Sequence, residues 1–432
     1  MLVEFKFGNF RSFKEEVTFS MEPLSQNGKM YNLIETKLKK IPRLYRTAGI
    51  FGSNASGKSN VLYALKFIKY MIKKSTKMNV ENTWPDERYA LTDNNLNKPM
   101  SFEIQFIVND ILYEYGVEVF NNIIQKESLF YSPIYQNGSA LRNRVYNRIF
   151  VDGKPVFEKS KGILQRWCDE TLNNRLFLPL LINNYNCQIK EVQEAYNELI
   201  NNIRIADSHS LSHNFSIQKI AEGEGNGIIN LLKQADLGIN DISVKEVPVE
   251  ELMKDVKDAL EQEPDKLAEL ILKSVVSNKK SRVLDIKSYH KTEEGTSKEF
   301  DFKNMESAGT KTFLSMSGPL LDTMNTGGVI FIDELDNALH PYLVKYLVSL
   351  FNNPDINKNN AQLIFTSHAH YLMDGEHLSR DQIWFTSKEL NNGFYSDLYS
   401  LSDFKNLNRK NISFYEAYMD GVYGAVPSVE LL

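Results

Sequence analysis

The sequence predicts an α/β fold in which a parallel sheet carries a phosphate-binding loop, beside an antiparallel β subdomain and a mainly helical insertion. Three observations predict it. Residues 51–60 read FGSNASGKSN, which satisfies G-x-x-x-x-G-K-[ST] with Gly52, Gly57, Lys58 and Ser59. Far downstream, GGVIFIDELDNALHP sets the acidic pair Asp333 and Glu334 at the end of an apolar run. Between them, SFEIQFIVND and ILYEYGVEVF alternate apolar and polar residues with the period of half-buried strands.

The phosphate loop needs a strand, a glycine-rich turn and a helix, in that order. Ala48, Gly49, Ile50 and Phe51 end a short apolar strand. Gly52, Ser53, Asn54, Ala55, Ser56 and Gly57 form the turn, with side chains small enough for the backbone to wrap an anion. A helix is expected from Lys58, Ser59 and Asn60 onward. Val61, Leu62, Leu65, Phe67, Ile68 and Ile72 include a helix-period apolar stripe, and Lys66, Lys69, Lys73 and Lys74 are expected to face water. In this reading backbone N–H groups and the helix N-terminus point at the phosphates of a nucleotide. Lys58 reaches the β- and γ-phosphates, and the Ser59 hydroxyl ligates Mg²⁺.

The second strand, Val329, Ile330, Phe331 and Ile332, is bounded by Gly327 and Gly328 and reads as fully buried. Asp333 leaves its C-terminal end, where ligands collect in a parallel sheet, and is expected to hold the Mg²⁺ shell. Glu334 follows as the candidate general base for an attacking water. A third buried strand, Leu363, Ile364 and Phe365, exits at Thr366, Ser367 and His368. His368 is the candidate contact to the γ-phosphate. His370 and Asp374 lie close enough in sequence for a metal cluster, which ranks below phosphate sensing; His370 reads as a packed or exposed side chain. His209 and His213 have an i, i+4 spacing that suits metal on a helix, but their serine-rich surroundings favour a loop.

Composition narrows the class. The 42% hydrophobic and 24% charged content suits a soluble globular chain with a real core. No apolar run approaches the roughly 18 residues of a membrane span; the longest, residues 176–182, contains Pro179. Charges at Glu4, Lys6 and Arg11 remove the apolar core of a signal peptide. Two cysteines, Cys168 and Cys187, make neither a metal spacing nor a disulfide framework, and a reducing cytoplasm is expected. A net charge of −5 argues against a chain coated in nucleic acid, although short basic runs occur at residues 37–43 and 279–282.

Together these pieces resemble ATP-binding-cassette-type ATPases of the SMC, RecF and OLD group. Phe5 to Phe13, reading FKFGNFRSF, looks like that group's N-terminal element beside the nucleotide, which makes Arg11 a candidate nucleotide contact. Leu335, Asp336, Asn337 and Ala338 look like the D-loop, which crosses the dimer interface. Residues 305–310, MESAGT, resemble a degenerate signature segment, in which Ser307 and Gly309 open a helix toward the nucleotide of a second subunit. A plain N-cap at Ser307 is the alternative. The C-terminal segments DQIWF, LYSLSDF and YGAVP are similar to stand-alone prokaryotic anti-phage ATPases of the RloA and AbiL type, and the ATPase of PARIS systems looks related. Val422 stands where that group has an arginine, so no role for an arginine carries over.

The resemblance implies an ABC/SMC-like ATPase head divided into an N-terminal lobe at 1–150, a mostly helical insertion at 151–280 and a C-terminal lobe at 281–432. Helical patches at 191–203 and 250–276 fall short of the roughly three or four heptads a coiled-coil rod needs. SRVLDIKSYHK and EFDFKNM read as a strand pair leading to the signature segment. The implied activity is ATP hydrolysis by a homodimer or higher oligomer acting as a switch in abortive infection, with a phage protein as a candidate trigger. About 60 residues follow His368, too few for an appended nuclease domain. The effector is therefore expected to be separately encoded, a Toprim-type nuclease being one such partner. A RecF-like ATPase that clamps DNA is the alternative, disfavoured by the acidic balance. A transporter subunit fits less well, and no membrane partner is expected.

Overall fold

One buried glutamine, Gln362, bonds the parallel sheet of this protein to the antiparallel one, and a second, Gln382, ties the turn before a parallel strand to its neighbour. The computed structural model describes residues 1–24, 32–133, 141–157, 163–207, 214–248, 282–388, 394–404 and 413–426. The first sheet has six strands, in the order Ile203–Asp207, Val329–Asp333, Gln362–Thr366, Thr47–Phe51, Ile383–Ser387 and Asp397–Ser400. All neighbours are parallel except the last pair. Its central strands are almost wholly buried, which explains their unbroken apolar runs. The second sheet has seven antiparallel strands, in the order Lys154–Phe157, Asn143–Val151, Ile123–Ser132, Ile111–Phe120, Met100–Val108, Leu2–Gly8 and Val17–Ser20. Here burial alternates along the strands, as the sequence does.

Gln362 donates from Nε2 to the Leu2 and Tyr45 carbonyls and accepts the Leu2 amide at 2.6 Å. Gln382 donates to both the carbonyl and the hydroxyl of Thr47 at 2.8 Å and accepts from Asn32 and the Ser379 amide. Both glutamines are fully buried, so each polar atom needs these partners.

The chain divides into two units, Met1–Ser210 with Asp322–Leu432, and Leu211–Leu321. Both large sheets lie in the first. The second contains a three-stranded antiparallel sheet of Ile239–Pro248, Arg282–Lys291 and Ser297–Asp301, so the pair expected from SRVLDIKSYHK and EFDFKNM forms. In this unit the hydroxyl of Ser216 donates to the Leu314 carbonyl at 2.6 Å and accepts the Gly318 amide at 3.0 Å. These are the two ends of one i to i−4 bond of the helix Ala308–Thr326, which also contains Pro319. The patch at 250–276 and the pair His209 and His213 lie outside the described residues. Among the described residues no helix is long and apolar enough to cross a membrane.

Two sequence expectations change. Among the described residues of 151–280, the stretch read as mainly helical, Lys154–Phe157 and Ile239–Pro248 are strands, and Ile203–Asp207 forms the edge strand of the parallel sheet, beside Val329–Asp333. Five residues after a helix give no periodic signal, and their partner is more than a hundred positions away. Lys69 was expected to face water, but it is buried. Its ammonium donates to the Ile200 carbonyl at 3.1 Å and to the Ile203 carbonyl, tying the helix Lys58–Ser75 to the start of that edge strand.

Burial holds the Lys69 amine at about 7, against an ordinary 10.5. Between these values the unfolded chain binds the extra proton, so the Lys69 contribution to stability rises with pH across that window and is lowest below about 7. Replacing Lys69 with Met is expected to remove this slope. Thermal melts from pH 7 to 9 should show wild type gaining on Lys69→Met; parallel melting curves would exclude Lys69 as the titrating group.

Candidate nucleotide site

The phosphate loop leaves the buried strand Thr47–Phe51 and enters the helix Lys58–Ser75 through three left-handed residues, Gly52 (φ 149°), Ala55 (φ 60°) and Gly57 (φ 114°). A β-carbon on Gly57 would meet Ser396 Oγ at 2.6 Å and Ser12 Oγ at 3.0 Å, and one on Gly52 would meet the Thr386 carbonyl at 2.4 Å. Only glycine permits this approach. Behind the loop, Ser56 and Thr386 share a hydrogen bond of 2.6 Å. The Ser12 hydroxyl accepts from Asn60 at 2.8 Å and bonds Ser396, so the N-terminal turn packs on the loop through Ser12.

Lys58 curls back over the loop and donates to the Gly52 and Ser53 carbonyls at 2.8 and 2.9 Å. Burial lowers its amine to about 8, despite the opposing charges of Asp333, Glu334 and Asp336. The helix that it opens has no side-chain cap and no acidic residue in its first turn. That combination of free amide donors, a buried amine and a glycine cradle fits a phosphate chain. The Ser59 hydroxyl donates to Asp333 Oδ1 at 3.1 Å. Two hard oxygens so placed fit Mg²⁺.

Asp333 ends its strand, and Glu334 turns away from it at φ 53°. The Asp336 carboxylate accepts the His368 amide at 3.2 Å, so the segment after Glu334 and the exit of the strand Gln362–Thr366 are joined. The His368 side chain is exposed at that exit. Partial burial and the charge of Lys58 hold its imidazole below the ordinary 6.5, against the pull of Asp336, Glu334 and Asp333.

Other candidates lie elsewhere. Arg11 gives its guanidinium to Glu87 at 2.9 and 3.3 Å and stacks over Tyr63 at 4.3 Å. His370 stacks on Tyr418 with ring centroids 4.7 Å apart, and its Nε2 is buried with no hydrogen-bond partner. Asp374 gathers instead with Glu376 and His377, their ligand atoms within 4.8 Å, while Lys345 already pairs with it at 3.0 Å. In the second unit Ser307 caps the helix Ala308–Thr326, its hydroxyl accepting the Thr310 amide at 3.1 Å, and Gly309 lies in the first turn. Glu306 beside it accepts from Ser288 and bonds His290, both at 2.6 Å.

Sequence reasoning passed over Thr366, Ser12 and Thr386 as parts of the site. For Thr366 a signal existed: a hydroxyl follows the apolar run Leu363 to Phe365 at the exit of its strand.

The family model described as "AAA domain, putative AbiEii toxin, Type IV TA system" matches residues 48–160 and 170–374, well over half of the chain. The chain belongs to the AAA_21 family. Its fold is that of a P-loop NTPase, α/β with an antiparallel sheet. No curated protein matches this AAA_21 chain. Among solved structures it is similar to the SMC head domain from Thermotoga maritima, with TM-score 0.41 and 12% identity over 92% of this chain and 98% of that one. It is also similar to the Smc head domain with an extended coiled coil bound to the C-terminal domain of ScpA from Pyrococcus furiosus, with TM-score 0.37 and 14% identity over 98% of each chain.

Proposed function

We propose that this AAA_21 protein hydrolyses ATP as a cytoplasmic dimer or higher oligomer, and that the nucleotide cycle gates a separately encoded effector in anti-phage abortive infection. The observation that carries the ATPase reading is the convergence of Lys58, Ser59, Asp333 and Glu334 at the mouth of one glycine cradle. The defence setting draws its support from the toxin-system description of the family and from the C-terminal resemblance to the RloA, AbiL and PARIS ATPases.

In this reading the unit of Met1–Ser210 with Asp322–Leu432 is the ATPase head, and Leu211–Leu321 is the unit that carries the candidate signature segment. Lys58 exchanges the Gly52 and Ser53 carbonyls for the β- and γ-phosphates. Ser59 and Asp333 hold Mg²⁺, which neutralises charge on the phosphates when bound. Glu334 takes the proton of the attacking water as oxygen bonds to Pγ. The bond from Pγ to the bridging oxygen breaks, and ADP and phosphate leave. His368 offers a hydrogen bond to the γ-phosphate. Ser307, Gly309 and Asp336 serve the nucleotide across a dimer interface. Arg11 reaches nucleotide only by leaving Glu87.

The test is affinity purification of the full chain from its native host, as wild type and as Glu334→Gln. A stoichiometric neighbouring-gene product with nuclease features, retained differently by the two forms, is expected. Recovery of the chain alone, with salt-sensitive duplex DNA binding that requires ATP, would replace this reading with a RecF-like one.

A further inference from the structure

The strand Gln362–Thr366 ends in a hydroxyl for which the parallel sheet has no need. Valine would serve the strand equally well. Thr366 is fully buried. Its Oγ1 donates to Asp333 Oδ1 at 2.5 Å and accepts the Glu334 amide at 2.8 Å. Its carbonyl accepts the Leu335 amide at 3.0 Å. A buried hydroxyl must find partners, but here both come from the acidic pair of the neighbouring strand.

These bonds fall where the chain is strained. Glu334 has φ 53°, a conformation that disfavours residues with a β-carbon. An extended continuation past Asp333 would send the Glu334 carboxylate in another direction. The hydroxyl bond to its own amide and the carbonyl bond to the next one hold the turn in place.

We propose that Thr366 is a positioning residue that couples the Asp333 carboxylate to the direction of the Glu334 side chain. This rests on Glu334 acting as the base. Asp333 Oδ1 accepts hydrogen bonds from both hydroxyls, Ser59 at 3.1 Å and Thr366 at 2.5 Å. When Ser59 and Asp333 turn their oxygens to a divalent cation, the demand on Oδ1 changes. The Thr366 hydroxyl passes that change to the Glu334 amide. Glu334 is thereby aimed according to whether the cation is held.

Two substitutions separate the hydroxyl from the packing. Thr366→Val keeps the shape without the hydroxyl, and Thr366→Ser keeps the hydroxyl. Hydrogen–deuterium exchange on the full chain, followed by mass spectrometry of peptides spanning 329–338, is measured with and without MgADP. ATP turnover is measured beside it. In wild type, MgADP should change exchange in this segment. Thr366→Val should exchange faster there, lose the MgADP response and drop kcat by about 10- to 100-fold with KM for ATP unchanged. Thr366→Ser should restore all three. Wild-type exchange and kcat in the valine variant would overturn the proposal, as would a folded serine variant that behaves like valine. If the valine variant does not fold, Thr366→Ala takes its place in the same comparison. If wild type does not hydrolyse ATP, the base role of Glu334 fails, and the exchange data still decide whether Thr366 couples the pair.

Discussion

Glu334→Gln is expected to bind ATP as wild type does and to lose turnover by about 10²- to 10⁴-fold, the range for removal of a general base. Glutamine has the same shape and keeps the backbone amide that Thr366 holds. It therefore leaves the strained turn at φ 53° intact and removes only the proton acceptor. In the proposed reading the phosphate contacts fall to the glycine loop and to Lys58, which now bonds the Gly52 and Ser53 carbonyls, away from Glu334. Loss should accordingly fall on kcat and spare KM. Steady-state phosphate release and nucleotide bound per chain are the two measurements. Unchanged turnover would remove Glu334 from its role. Lost binding would instead mean that the carboxylate supports the cradle.

Glu127→Leu should destabilise the protein by about 3–5 kcal/mol, because it leaves the Arg148 guanidinium buried without a counter-charge. Both side chains are essentially without exposure, and their charged atoms lie 3.7 Å apart. The Glu127 carboxylate also accepts from the Tyr115 and Tyr146 hydroxyls at 3.1 and 3.0 Å, from the Leu178 amide at 2.9 Å and from the Phe177 amide. Those two amides open the short helix Phe177–Asn183, so one carboxylate pins a helix start to the antiparallel sheet. Arg148 in turn donates to the Arg175 and Leu172 carbonyls. Adding Arg148→Met should recover part of the loss, since replacing both charges with apolar groups removes the orphaned cation. Denaturant titrations of wild type, single and double variants provide the check. A single variant within about 0.5 kcal/mol of wild type would show that the pair is not a structural anchor.

The nucleotide loop was legible because phosphate chemistry requires particular residues at fixed spacing, and Gly52, Gly57, Lys58 and Ser59 have no substitute geometry. The central strands were legible for a related reason: burial on both faces leaves unbroken apolar runs such as Val329 to Ile332. What stayed hidden depends on partners distant in sequence. Lys69 looks like any lysine on a helix, and only the carbonyls of Ile200 and Ile203 make it a buried clamp. Glu127 reads as the polar half of an alternating strand until Arg148 and two tyrosines close around it. Arg11 sits in a motif that suggests nucleotide, while Glu87, far along the chain, engages it in the structure. Thr366 combines both cases, since its position was visible but its bonds were not.

The strand order also sets a timetable for synthesis. Thr47–Phe51, which launches the phosphate loop, lies between Gln362–Thr366 and Ile383–Ser387. At about 5–20 residues per second, a ribosome takes on the order of tens of seconds to deliver those neighbours after the loop has emerged. Throughout that interval the loop is attached to a strand with neither edge paired, and the acidic pair is still untranslated for most of it. The parallel sheet around the glycine loop can therefore close only late in translation, once residues 362–366 and 383–387 have emerged.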